Sequence, residues 1–301
     1  MKYSYGIKQT LFHGLVLSLL LCIPLWGAED SEGAPSFWRV EGANNTVWLF
    51  GTVHFLTEKH YPLADKVEKA FRSSPSLVVE INIALVDEEQ LQATMMAHIG
   101  MLPGGRNLEA LLGEERYARA RELAAEREHA LDQMKMLPPW MVAFVLTAFE
   151  LERLGYSAEH GVDAYFLNRA KAEDKRIVEL ETLEFQMSLF AELDEEMQAA
   201  YLMQTLEELA SMEEQIEMLI GAWEEGSLDD LEETLLKYFE EYPGLYKSIV
   251  TERNHDWNQK LIEILEESDQ DHFVAVGALH MVGEKGLNQL LRRAGYTVQQ
   301  Q

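Results

Sequence analysis

Trp48-Leu49-Phe50-Gly51-Thr52-Val53-His54 and Val274-Ala275-Val276-Gly277-Ala278-Leu279-His280 are two versions of one pattern, an apolar run that ends in Gly-x-x-His. Short apolar runs bounded by glycine read as buried strands. Ligands of open sheets gather where strands end, and glycine there lets backbone approach a ligand closely. The tetrapeptide alone is weak, and its plain reading is a pair of loop-capping histidines. Its place at the end of two buried strands makes His54 and His280 candidate ligands or proton carriers.

Working outward, residues 37–40 and 46–50 read as strands around a turn at Gly42-Ala43-Asn44-Asn45. Pro62 opens a helix to about Arg72, and 77–82 is an apolar strand. Asp87 caps a helix expected to run to about Ile99. Residues 107–154 read as helical, and 136–154 is apolar around much of its circumference, the mark of a buried helix or of one that touches a membrane or partner. A helix over 162–173 and a strand over 176–181 follow. Residues 183–241 read as a helical, acidic insertion. Pro243 starts a helix to about Glu267, then come a strand at 272–276, a helix at 282–294 and a strand at 296–299. Strands interleaved with helices predict an α+β fold, α/β-like, with a mixed central sheet flanked by helices.

Two further elements carry chemistry. Glu80 sits in the apolar run Leu77-Val78-Val79-Glu80-Ile81, where a carboxylate is costly unless it is paired or bound to a metal. Glu179 and Glu181 share a face at the end of the 176–181 strand. Two histidines and one carboxylate suit a divalent metal such as Mn, Fe, Co or Zn. On the helix after Pro243, Val250, Arg253, Asn254, Trp257, Leu261 and Ile264 fall on one face. An arginine turned toward a core needs an acid, and Glu80 or Glu181 serves; the plain reading is that it reaches the helix edge instead. Asp163, in His160-Gly161-Val162-Asp163, reads as a structural first-turn acid or a partner of Arg169.

Composition narrows the function. The chain has 301 residues and a net charge of −27. That disfavours nucleic acid, whose binding rests on cationic contacts to phosphate, and docking on anionic lipid. Residues 192–241 hold 17 acids and one base, Lys237, as expected of solvated faces of amphipathic helices. Lys2, Lys8 and the apolar run from Leu11 to Trp26 have the layout of a secretory signal, expected over 1–28. The alternatives are a retained N-terminal anchor and a lipoprotein acylated at Cys22. The mature domain, 29–301, is expected to be periplasmic or extracellular without extensive membrane embedding. Cys22 is the one cysteine, so a mature chain offers no disulfide, thiolate ligand or cysteine nucleophile.

Phe50-Gly51-Thr52-Val53-His54, Val78-Val79-Glu80, His160-Gly161-Val162-Asp163, Glu179-Leu180-Glu181-Thr182, Glu252-Arg253-Asn254 and Val276-Gly277-Ala278-Leu279-His280 occur in the order of the TraB/PrgY/GumN family, which the chain resembles from about Phe37 to Val298. The resemblance implies a metal-dependent hydrolase acting outside the cytoplasm, because the Tiki members are described as metal-dependent proteases with paired Gly-x-x-His motifs at the metal. It implies His54, Glu80 and His280 as metal residues, Glu80, Arg253 and Asn254 as catalytic, and Gly51, Gly277 and Glu181 as supporting. The cofactor would be a divalent ion (Mn, Co, Fe or Zn), the substrate a peptide or small molecule. Glu80 is either a ligand or the general base, and Arg253 would face the developing oxyanion. The rival from the same resemblance is a non-enzymatic binding protein that sequesters a peptide, haem or iron.

Overall fold

The computed structural model describes residues 36–82, Glu89, Ala93, Thr94, Ala97, His98, 105–236, Phe239 and 243–301. The expected signal over 1–28, with Cys22, lies outside the described residues, as does most of the helix expected from Asp87 to Ile99. The chain divides into two compact units. One takes in Leu85–Ser157 and Leu183–Glu213; the other holds the described residues up to Asn82, Ala158–Thr182 and Glu214–Gln301.

The second unit carries the sheet. Its strands are β1 (Phe37–Glu41), β2 (Thr46–Thr52), β3 (Ser76–Val79), β4 (Arg176–Glu179), β5 (His272–Gly277) and β6 (Val298–Gln300), in the order β4-β3-β5-β2-β1-β6. The run β4-β3-β5-β2 is parallel; β1 is antiparallel to β2 and to β6. The fold is therefore α+β with a mixed sheet flanked by helices, as expected. Its helices include α1 (Asp65–Ser73), α2 (Val162–Ala172), α3 (Met212–Glu225), α4 (Leu228–Leu236), α5 (Glu252–Glu267) and α6 (Leu287–Arg293).

Alternation sorts the buried side chains to two faces. Leu49, Val78, Val274 and Val276 pack with Trp257, Leu261 and Leu265 of α5 and Leu287 and Leu291 of α6. Each such fully buried side chain contributes about 1.5–3 kcal/mol. The other face is aromatic. Phe273 stands 4.8 Å from Phe166 of α2 and 5.6 Å from Phe71 of α1, and Phe50 stands 6.0 Å from Trp223.

Several boundaries depart from the periodicity, among them the helix expected from Pro62, which begins at Asp65, and the last strand, which begins at Val298. The helix that begins at Pro243 is interrupted by a π turn over Lys247–Thr251 before α5. The helix expected from Val282 begins only at Leu287, because Gly283 takes a left-handed φ of +75° and the Gly286 N–H closes a turn onto the Gly283 carbonyl at 3.0 Å. The strands expected to reach Asn82 and Glu181 end at Val79 and Glu179, but two backbone bonds prolong their pairing: Leu180 N–H to the Val79 carbonyl and Glu181 N–H to the Glu80 carbonyl, both 2.9 Å.

The other unit is helical. Its Pro139–Arg153 helix is buried almost all round, with Phe144 at 5.3 Å from Trp140 and 4.8 Å from Phe190. Glu150, fully buried there, is held by Arg127 and Arg153 at 2.5 and 2.6 Å. Among the described residues no helix is long and apolar enough to cross a membrane.

Candidate functional site

The parallel strands β4, β3, β5 and β2 deliver Glu181, Glu80, His280 and His54 just beyond their carboxyl ends, the end at which open sheets bind ligands. Arg253 and Asn254 reach the same place from the first turn of α5. Every site residue expected from the sequence thus falls in one cluster.

His54 is oriented by a residue from α2. Its Nδ1–H donates to Asp163 Oδ2 at 2.7 Å, and Thr52 Oγ1 donates to Asp163 Oδ1 at 2.9 Å. The ring's Nε2 is left toward the cluster, with no hydrogen-bond partner among the described residues. Gly161 makes this approach possible. The Val162 N–H bonds the Val53 carbonyl at 3.0 Å, and a Cβ on Gly161 would lie 2.1 Å from the His54 carbonyl oxygen. Burial alone would lower the His54 pKa; the charge and hydrogen bond of Asp163, helped by Glu80, outweigh it and raise the pKa above 6.5.

His280 sits in the opposite environment. Asn254 Nδ2 donates to the carbonyls of His280 and Lys285, at 3.2 and 2.8 Å, so its Oδ1 is the acceptor for the His280 Nδ1–H at 2.6 Å. The remaining nitrogen, Nε2, accepts from Arg253 Nη1 at 3.1 Å. Burial and then the guanidinium charge push the His280 pKa down to about 3, so the ring is neutral.

Arg253 finds both acids rather than one. Its Nη2 donates to Glu80 Oε2 at 2.7 Å and Glu181 Oε2 at 2.8 Å, and its Nε donates to Glu181 Oε1 at 2.9 Å. Nη1 also donates to the Ile249 carbonyl, in the π turn, at 3.0 Å. With His280 this engages all five N–H groups. The guanidinium lies over the Trp257 ring at 4.6 Å, and the indole N–H donates to Glu181 Oε1 at 2.8 Å. Glu80 Oε1 accepts the Gly277 N–H at 2.8 Å. Burial would raise the Glu80 pKa, but Arg253 foremost, then the histidines and this N–H, bring it down to about 2.

The two motif glycines do different jobs. A Cβ on Gly51 would press on Ala278 Cα and Ser36 Cβ, each at 3.2 Å, so Gly51 lets the ends of β2 and β5 pack. A Cβ on Gly277 would stand 3.3 Å from both His54 Nε2 and Glu80 Oε1, and 3.7 Å from His280 Cδ2. Above Gly277, then, is a cradle that a side chain would fill, bordered by an imidazole nitrogen and a carboxylate oxygen.

Two donor atoms, His54 Nε2 and Glu80 Oε1, are those that could face a divalent cation. His54 and His280 each have Nδ1 pinned by an oxygen, as metal-binding histidines do. Glu80 and Glu181 share the Arg253 guanidinium, while Asp163 holds His54 and Thr52. The atoms facing the cradle are His54 Nε2 and Glu80 Oε1; His280 turns a carbon edge to it. Among the described residues, no three His, Cys, Asp or Glu side chains form a ready metal group.

Asp163 was the residue the sequence reading undervalued. Arg169, its expected partner, bonds Glu68 at 2.6 Å and Glu173 at 3.2 Å instead. The clue was its place at the start of α2, but nothing local marks His54, 109 residues away, as its partner.

The sequence profile described as the TraB/PrgY/gumN family matches residues 36–300. The chain is 28% identical over 249 residues, 83% of its own length and 89% of the relative's, to a protein of Escherichia coli (strain K12) named "Uncharacterized protein YbaP". It is 28% identical over 244 residues, 81% of its length and 87% of the relative's, to the protein of the same name from Shigella flexneri. No solved structure matches the chain.

Proposed function

The chain belongs to the TraB/PrgY/gumN family, and from that membership and the geometry at the strand ends together we propose that it is a hydrolase whose reacting atoms meet in the cradle over Gly277. The observation that carries this reading is that His54 Nε2 and Glu80 Oε1 both face the bare Cα of Gly277, where a Cβ would lie 3.3 Å from each. A group that activates water needs a basic atom within hydrogen-bond reach of the attacking oxygen and support for the charge it gains. His54 has both, since a proton taken at Nε2 is stabilised by Asp163 at Nδ1. Glu80, kept ionised by Arg253, lies beside it.

A divalent cation, when bound, would take His54 Nε2 and Glu80 as ligands, and its Lewis acidity and more acidic water would then replace proton abstraction by the free Nε2. Arg253, with every N–H engaged, acts by holding Glu80 and Glu181 in place and keeping Glu80 ionised rather than by meeting an oxyanion. The bond cleaved is an acyl bond of a peptide or small molecule. The work is done outside the cytoplasm, where the basic and apolar start of the chain would direct it.

The test is turnover of fluorogenic peptides and nitrophenyl esters by protein stripped with a chelator and resupplied with Mn²⁺ or Co²⁺. His54→Ala and Glu80→Gln should each lower the rate by about 10²–10⁴-fold. Hydrolysis that survives both substitutions overturns the proposal, and so does a haem Soret band in protein without turnover.

A further inference from the structure

Building on that hydrolytic centre, we propose that the two motif histidines divide the work: His54 alone meets what enters the cradle, and His280 is a positioning residue whose Nε2 anchors the Arg253 guanidinium. Three observations lead there. The His280 tautomer is set by Asn254, whose amide nitrogen is spent on two carbonyls and whose oxygen takes the Nδ1–H. That leaves one lone pair, on Nε2, and Arg253 Nη1 occupies it. Arginine does not give up its proton in a protein, so the bond has one polarity only.

Freeing Nε2 would require Arg253 to retreat. Its other N–H groups hold Glu80, Glu181 and the Ile249 carbonyl, so retreat would strip partners from two buried carboxylates at once. The ring itself has little freedom, being fully buried with its centroid 4.3 Å from that of Trp257. The atom it shows to the cradle is Cδ2, a carbon that neither ligates nor accepts a proton. His54 differs on each count, with Nε2 at the cradle, no partner on that nitrogen among the described residues, and a side chain 10% exposed.

The experiment uses the full chain stripped with a chelator. Metal uptake is read by elemental analysis after dialysis against Mn²⁺ or Co²⁺ alone, and melting temperature is read in chelator. His54→Gln should lose uptake whatever its melting temperature. His280→Gln, which keeps an acceptor oxygen near the Nε2 position but offers no imidazole, should keep uptake within about threefold. It should also melt close to wild type. His280→Ala, which leaves Arg253 without that acceptor, should melt about 2–4 °C lower or more. Loss of uptake in His280→Gln as complete as in His54→Gln overturns the division of roles. If wild type takes up no metal, the metal part of the proposed function fails by itself and melting decides the division. A fall in His280→Ala that His280→Gln restores supports it; equal melting of all variants overturns it.

Discussion

The two Gly-x-x-His segments end adjacent parallel strands, β2 and β5, and in sequence they are interchangeable. In the folded chain they are opposites. His54 leans on a carboxylate, keeps Nε2 toward the cradle, and is pushed toward its protonated form. His280 leans on a neutral amide, gives its Nε2 to a guanidinium, and is held neutral. Gly51 packs against backbone, while Gly277 presents its bare Cα to His54 Nε2 and Glu80 Oε1. A repeated motif therefore marks where a site is without saying that its copies do the same work; the residues brought in from α2 and α5 decide that.

The largest expected effect lies on the His280 side. Arg253→Ala removes the guanidinium that pairs with Glu80 and Glu181 in the interior. The expected cost is about 3–5 kcal/mol, read as a drop in the denaturation midpoint. Arg253→Lys keeps the charge but loses the planar contacts to both acids and should recover only part of it. An Arg253→Ala protein as stable as wild type would show that the clamp does not hold the His280 side together.

Next in size is one substitution made in both motifs. Gly51→Ala forces a methyl against Ala278 Cα and Ser36 Cβ and should cost about 1–3 kcal/mol of stability. Gly277→Ala meets no backbone closer than ordinary contact, and its φ of −50° and ψ of 138° suit any residue. It should fold and lose turnover about a hundredfold, because the methyl would crowd His54 Nε2 and Glu80 Oε1, each at 3.3 Å. Matching phenotypes would erase the contrast between the glycines.

How far this was legible in the sequence follows from the range of each signal. His54, Glu80 and His280 were readable because a polar residue in or just after an apolar strand is conspicuous in a short window. Arg253 and Asn254 were readable because they interrupt an apolar helical stripe, although the stripe takes no account of the π turn before α5. That Arg253 takes Glu80 and Glu181 together depends on β3 and β4 being paired neighbours, which no local pattern states. The His54–Asp163 bond was illegible for the same reason, as it depends on Gly161 letting the start of α2 touch the end of β2.

The finest expected effect is a single proton, and it tests the contrast directly. In chelated protein, nuclear magnetic resonance should show the His54 ring titrating above 6.5 and the His280 ring still neutral down to about pH 3. The two shifts act on stability with opposite signs. A raised histidine favours the folded state fully below 6.5, and that contribution fades as pH rises through its folded value; a depressed one costs stability as pH falls from 6.5 toward about 3. Asp163→Asn isolates the first term, since the amide oxygen still accepts the Nδ1–H while the charge that raises His54 is gone. In that variant the His54 pKa should fall and the stability loss above pH 6.5 should flatten, while the acid-side loss owed to His280 stays. A His54 resonance that titrates identically with and without the Asp163 charge would mean that α2 does not set the difference between the two motifs.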